Sequence, residues 1–185
     1  MAVDPNVIRE LVEALGDRGR ALPASAFRTD LPEASQCGIY AWWADEPARQ
    51  LIAETLDTDV APLIYVGKAG DGESSQTLGT RVFCGHLNGR TTNSTLRRSL
   101  TGILKEVDWF ASAHTKTSLI RRSPVLSAWM REHLEVAIIP VERSELRKAE
   151  RDALTCYDPP LNLVNVPDPT RDPVRSSRNC GVRCR

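Results

Sequence analysis

Two short apolar segments constrain the fold of this chain more than any other feature. Cys37-Gly-Ile-Tyr-Ala-Trp-Trp43 and Pro62-Leu-Ile-Tyr-Val-Gly67 are rich in aromatic and β-branched residues and too short for helices, so each reads as a strand. Between them, Asp45 and Pro47 start a helix predicted over 47–57. Two strands separated by a helix can be neighbours in one sheet, but the sequence does not give their direction. A third apolar run, Leu134–Ile139, is ended by Pro140 and reads as another strand.

The rest of the chain supplies helices to cover that sheet. Val7, Ile8, Leu11, Val12 and Leu15 recur at helical spacing over 5–16 and stop at Gly16. Pro23 and Pro32 bracket a polar connector. Further helices are predicted over 78–86, over 96–104 behind an Asn93 or Ser94 cap, over 124–133, and from a Ser144 cap to about Tyr157. Asp158-Pro-Pro160 ends the last of these, because neither proline can extend a helix. Residues 109–124 have no clear period and read as a strand followed by a mobile loop. The fold class expected is mixed α+β, with a small central sheet of about three strands flanked by helices.

A chain of 185 residues suits one buried core. The expected organisation is an N-terminal helix and connector over 1–35, a catalytic unit over 36–165, and a disordered tail over 166–185 rich in Pro, Asp, Arg and Ser. No apolar run approaches the roughly 18 residues of a spanning helix. The first residues carry acids and no basic stretch ahead of an apolar one, so a cytoplasmic location without membrane contact is the expectation. Five scattered cysteines then read as thiols; Cys180 and Cys184 lack the two further ligands a zinc site needs.

Net charge is zero, but its distribution is uneven. Residues 1–60 carry 5 basic and 11 acidic side chains, residues 81–131 carry 9 and 2, and the tail from 168 adds 5 and 2. A neutral protein with one basic segment can bind a polyanion through that face. Within the basic segment, Thr91-Thr-Asn-Ser-Thr-Leu-Arg-Arg98 is a polar turn running into a helix. It would present amides and guanidinium groups together, with Arg90, Arg97, Arg98, Arg121 and Arg122 as candidate phosphate contacts.

Alone, Gly38-Ile39-Tyr40 and Tyr65-Val66-Gly67 are strand fragments whose tyrosines could simply pack. In order with Leu78-Gly-Thr-Arg81, His86, Glu150 and Pro159-Pro-Leu-Asn162, they resemble the GIY-YIG nuclease superfamily over residues 36–165. Three features depart from its pattern. The spacer between the tripeptides is 24 residues long (41–64), Val66 stands for isoleucine, and His86 follows Arg81 by five residues where four is more familiar. At five, two side chains diverge on an ideal α-helix.

The resemblance implies a DNA endonuclease that hydrolyses phosphodiesters with one divalent cation, Mg²⁺ or Mn²⁺. Glu150 would be its one protein ligand, since hard oxygen donors suit those ions. Arg81 would hold the scissile phosphate, Tyr40 would accept the proton of the attacking water, and Tyr65 would orient water or phosphate. A phenol with a pKa near 10 needs nearby positive charge for that task, and Lys68 and His86 are the assistants available. Gly38, Gly67 and Asn162 would support the site, Asn162 by bonding backbone in the loop after the proline pair. One site nicks one strand, so double-strand cleavage would need a homodimer or a second event. The alternative is a catalytically inactive nucleic-acid-binding module that kept the fold.

Overall fold

All seven residues from Gly38 to Ala44 are buried, which a strand achieves only when it is paired on both edges and covered on both faces. This strand, β2, is the centre of the molecule. The structure is a computed structural model that describes residues 5–105, 107–113 and 123–162. Beside β1 (Leu22–Pro23) and β2 (Gly38–Ala44), it contains β3 (Leu63–Ala69) and β4 (Leu134–Pro140). They form one sheet in the order β1-β4-β2-β3, antiparallel throughout. The fourth strand, β1, is two residues long and contains Pro23, a residue that a sheet tolerates at its edge.

Alternation along β2 divides the core. Ile39, Ala41 and Trp43 face Ile8, Val12 and Leu15 of α1 (Pro5–Gly16) and Leu146, Ala149 and Ala153 of α6 (Leu146–Tyr157). Tyr40, Trp42 and Ala44 face the larger layer. It is built by α2 (Glu46–Leu56), a π-helix (Thr80–Leu87), α3 (Thr95–Leu104), α4 (Asp108–Ala113) and α5 (Pro124–His133). α1 therefore shares the core of the sheet. Asp45, Ser94 and Ser123 cap α2, α3 and α5 through their side-chain oxygens. No helix among the described residues is long and apolar enough to cross a membrane.

Four local expectations need correction. Leu22–Pro23, in the stretch read as a polar connector, pairs with Val136 and Glu135 of β4, so the sheet has four strands where about three are expected. Residues 108–113 are helical, not extended: the Phe110 and Ala111 amides both bond Val107 O, and one aromatic per turn suffices, Phe110 entering the core while Trp109 stays 46% exposed. The last helix begins with Glu145 at its N-cap and no side-chain cap bond, so Ser144 does not cap it. The segment Thr80–Leu87 winds as a π-helix, which alters what its side chains can reach. The expected tail and the loop over 114–122 lie outside the described residues.

Candidate active site

The site is assembled on the face of the sheet that carries Tyr40. Tyr40 of β2 pairs across the strands with Gly67 of β3, and Trp42 pairs with Tyr65, so the two tyrosines are diagonal neighbours on one face. Their ring centroids lie 6.5 Å apart. Gly67 is required here, because a Cβ at that position would collide with the Tyr40 hydroxyl. Gly38 is required for a different approach: a Cβ there would strike Ile139 O of β4 and come within 2.8 Å of Leu78 Cδ1.

The π-helix delivers the next two residues. Its i→i+5 bonding, seen in the Asn88 amide donating to Phe83 O at 3.0 Å, widens the turn and returns residues five apart to the same side. Arg81 and His86 therefore do not diverge, as an α-helix would make them. Arg81 Nε donates to the Tyr40 hydroxyl oxygen at 3.3 Å, and His86 Nε2 lies 2.7 Å from the same oxygen. On its other side, His86 Nδ1 lies 2.7 Å from Ser94 Oγ.

Burial sets the electrostatics of this group. It drives the Tyr40 pKa far above the ordinary value of 10; neighbouring Tyr65 adds to the shift and Arg81 opposes it. Burial also holds His86 well below 6.5, with Arg81 and Arg97 pushing the same way. At neutral pH the pair is thus a neutral phenol against a neutral imidazole. Burial works against the Arg81 cation too, but Tyr40, Tyr65 and Glu150 outweigh it and raise its pKa.

Glu150 comes from α6, which lies across the opposite face of the sheet and meets the cleft at the edge of β3. Its Oε2 accepts from Lys68 Nζ at 2.6 Å, and the same ammonium lies 3.3 Å from Asp71 Oδ2. Of the two assistants available to Tyr40, His86 touches its hydroxyl, while Lys68 bonds these two carboxylates. Burial opposes its charge, but Glu150 and Asp71 outweigh that and raise its pKa. Tyr40, Tyr65, Gly67, Lys68, Arg81 and Glu150 nonetheless line one cleft, together with Asp71, Ser74 and Gln76 from the loop after β3. Arg143 donates to Gly72 O and Ser74 O in that loop, and Arg147 bonds Asp71, so α6 and the segment before it tie the loop down.

Asn162 supports the site at a place the sequence did not indicate. Its Oδ1 accepts from the Val66 amide at 2.8 Å and its Nδ2 donates to Val66 O at 2.7 Å, while the segment that follows lies outside the described residues. One residue earlier, the Leu161 amide donates to Ile64 O at 3.0 Å. This segment occupies the open edge of β3 and fixes the backbone between Tyr65 and Gly67, where an edge strand would otherwise expose unpaired groups.

The candidate phosphate contacts separate into different environments. Arg90 is exposed and Arg98 is half-buried, while Arg121 and Arg122 lie outside the described residues. Arg97 contradicts its expected role: it is fully buried and faces no solvent. Its guanidinium donates to His86 O at 2.8 Å, Leu87 O at 3.2 Å, Ser127 Oγ at 3.1 Å and Ser123 O at 3.1 Å. A helical position three after a cap can face inward or outward; here it faces the core. Sequence reasoning also missed Asp71 as a partner of Lys68, and Ser94 as more than a helix cap. A charged residue within a turn of Gly67 was the available signal for Asp71; nothing in the sequence marks Ser94 as a neighbour of His86.

The profile of the family described as the GIY-YIG catalytic domain matches residues 38–179. That span begins at the glycine of the first tripeptide and includes every residue lining the cleft. No curated protein and no solved structure matches the chain. With most of its length matched, and with both tyrosines, Arg81 and Glu150 opening onto one cleft, the chain belongs to the GIY-YIG catalytic-domain family, a family of nucleases.

Proposed function

We propose that the protein is a metal-dependent DNA endonuclease in which Tyr40 accepts the proton of the attacking water. The observation that carries this reading is the Tyr40 hydroxyl, which touches both His86 and Arg81 and lines the cleft that Glu150 also lines.

The cleft suits a divalent cation at Glu150. That carboxylate already receives a cation, the Lys68 ammonium, and a second acid, Asp71, stands on the far side of it. Among the described residues no group of three or more His, Cys, Asp or Glu side chains is arranged to hold a metal. On this reading Glu150, a hard oxygen donor opening onto the cleft, would hold Mg²⁺ or Mn²⁺, with water and phosphate oxygens completing the shell. When bound, such a cation neutralises charge on the phosphate and on the departing oxygen.

Protons move along the chain's own residues. The attacking water gives a proton to the Tyr40 oxygen as the phenol passes its own to His86 Nε2. The water oxygen bonds phosphorus, and the bond from phosphorus to the 3′-oxygen breaks, that oxygen taking a proton from solvent. Tyr40 could not ionise unaided, given its burial, and His86 at 2.7 Å is the base in contact with it. A bound phosphate offsets the charge of Arg81, which removes one of the two cations that disfavour a protonated His86. Arg81 in turn offsets charge growing on the phosphate.

Incubation of the purified protein with supercoiled plasmid and Mg²⁺ or Mn²⁺ tests the proposal. Nicked or linear product that chelator abolishes is the expected result. Intact plasmid with both ions would remove the enzyme reading and leave a nucleic-acid-binding module.

A further inference from the structure

The imidazole of His86 is engaged at both nitrogens inside the protein. Nε2 meets the Tyr40 hydroxyl and Nδ1 meets the Ser94 hydroxyl, each at 2.7 Å. Tyr40, His86 and Ser94 are at most 1% exposed, so neighbours and not water decide where the protons lie. The Tyr40 oxygen accepts the Arg81 Nε–H at 3.3 Å and can donate its own proton to Nε2. With the phenol as donor, Nε2 would be bare and the single proton of a neutral ring would sit on Nδ1, donated to Ser94 Oγ.

Ser94 is itself held in place. Its Oγ accepts the Arg97 amide at 3.2 Å as the cap of α3, and its carbonyl accepts the Arg98 amide at 3.0 Å. Three residues on, the Arg97 side chain grips His86 O and Leu87 O. The first turn of α3 thus holds His86 by its ring and by its backbone.

We propose that Ser94 is a positioning residue for the reaction: by accepting the Nδ1 proton of His86 it keeps Nε2 bare and aimed at the Tyr40 hydroxyl. This rests on the reading of Tyr40 as the acceptor of the water proton. A neutral hydroxyl is well matched to the place, because it orients the ring without favouring the imidazolium as a carboxylate would.

Ser94→Gly is the informative variant. Glycine is itself a favoured N-cap residue, so the helix keeps its start while the hydroxyl is lost. The chain has three histidines, and nitrogen NMR of the ring in the metal-free, full-length protein reports the tautomer of His86 directly. The wild type is expected as a single Nδ1–H tautomer and Ser94→Gly as a mixture with Nε2–H. The kcat for plasmid nicking should fall about tenfold or more with little change in KM, a part of what a placed proton acceptor contributes. Ser94→Thr should restore both. An unchanged His86 tautomer in Ser94→Gly, or an Nε2–H wild type, overturns the proposal. A wild type that does not nick DNA overturns the Tyr40 reading instead, while the NMR comparison still decides whether Ser94 sets the ring.

Discussion

Arg81 and His86, five residues apart, meet at one atom, the hydroxyl oxygen of Tyr40. An α-helix would have turned them away from each other, and the π-helix between Thr80 and Leu87 is what lets both arrive. The widened turn has local support. Val82, His86 and Leu87 are buried along it, and the Arg97 guanidinium takes the carbonyls at its C-terminal end. π-turns are concentrated at functional sites, and this one brings a guanidinium and an imidazole to one buried phenol oxygen.

Replacing Tyr40 with phenylalanine should separate packing from chemistry. The ring remains in the core beside Tyr65 and Trp42, but His86 Nε2 and Arg81 Nε lose their shared partner, so stability should fall by about 1–3 kcal/mol, the cost of stranding buried polar groups. Nicking should fall about 100-fold or more. A plasmid assay beside a melting curve checks both, and a Tyr40→Phe protein that cuts at the wild-type rate removes Tyr40 from the proton path.

Lys68 and Glu150 form a second pair whose removal acts in opposite directions. Glu150→Gln should abolish cleavage while DNA affinity, measured by fluorescence anisotropy, changes less than about threefold. Lys68→Met removes the ammonium that lies on the Glu150 carboxylate, so Mn²⁺, followed by electron paramagnetic resonance, should bind severalfold more tightly. Equal Mn²⁺ affinity in Lys68→Met and the wild type would mean that this ammonium does not compete for the metal.

Three of the four strands, most helices and the motif residues of the cleft are legible in the sequence because each depends on short-range pattern, whereas β1 and the loop residues Asp71, Ser74 and Gln76 are not. Tyr40, Tyr65, Arg81 and Glu150 were named from their motifs and all line one cleft. What escaped depends on tertiary contact. Whether Thr80–Leu87 takes an α or a π turn is decided by what covers Val82 and Leu87, which no local spacing encodes. Whether Arg97 faces solvent or the carbonyls of His86 and Leu87 turns on the packing of α3 against α5, and composition favoured the wrong answer. Lys68 had a choice between a phenol and two acids, and a cation takes the acids. Asn162 lies 96 residues from Val66, so its grip on that backbone could come only from the fold.

The arginines of the basic segment should respond differently to truncation. Arg97→Ala leaves His86 O, Leu87 O and Ser123 O without their donor and should cost about 3 kcal/mol in chemical denaturation, without changing the salt dependence of DNA binding. Arg90→Ala, at an exposed position, should leave stability within about 0.5 kcal/mol and lower the slope of log K against log salt by about 0.9 if Arg90 neutralises one phosphate. An Arg97→Ala protein of wild-type stability would contradict the buried clamp.

His86 also makes a prediction about acid. Burial, aided by Arg81 and Arg97, keeps its pKa in the folded protein well below the ordinary 6.5, whereas in the unfolded chain it returns to that value. Above pH 6.5 both states hold a neutral ring and His86 contributes no pH dependence. As pH falls below 6.5 the unfolded chain binds a proton that the folded protein refuses, so unfolding becomes easier. The limiting slope for one such group is about 1.4 kcal/mol per pH unit. Between about pH 6 and pH 5 this contribution precedes that of Asp71, whose folded pKa is lowered from 3.8 chiefly by its bond to Arg147 and whose stabilising effect is lost only at lower pH. Urea titrations at half-unit steps should show wild-type stability falling through this window and a His86→Gln variant falling less steeply. Parallel curves for the two proteins would mean that His86 is protonated as readily in the fold as outside it, and so that burial does not hold its imidazole neutral.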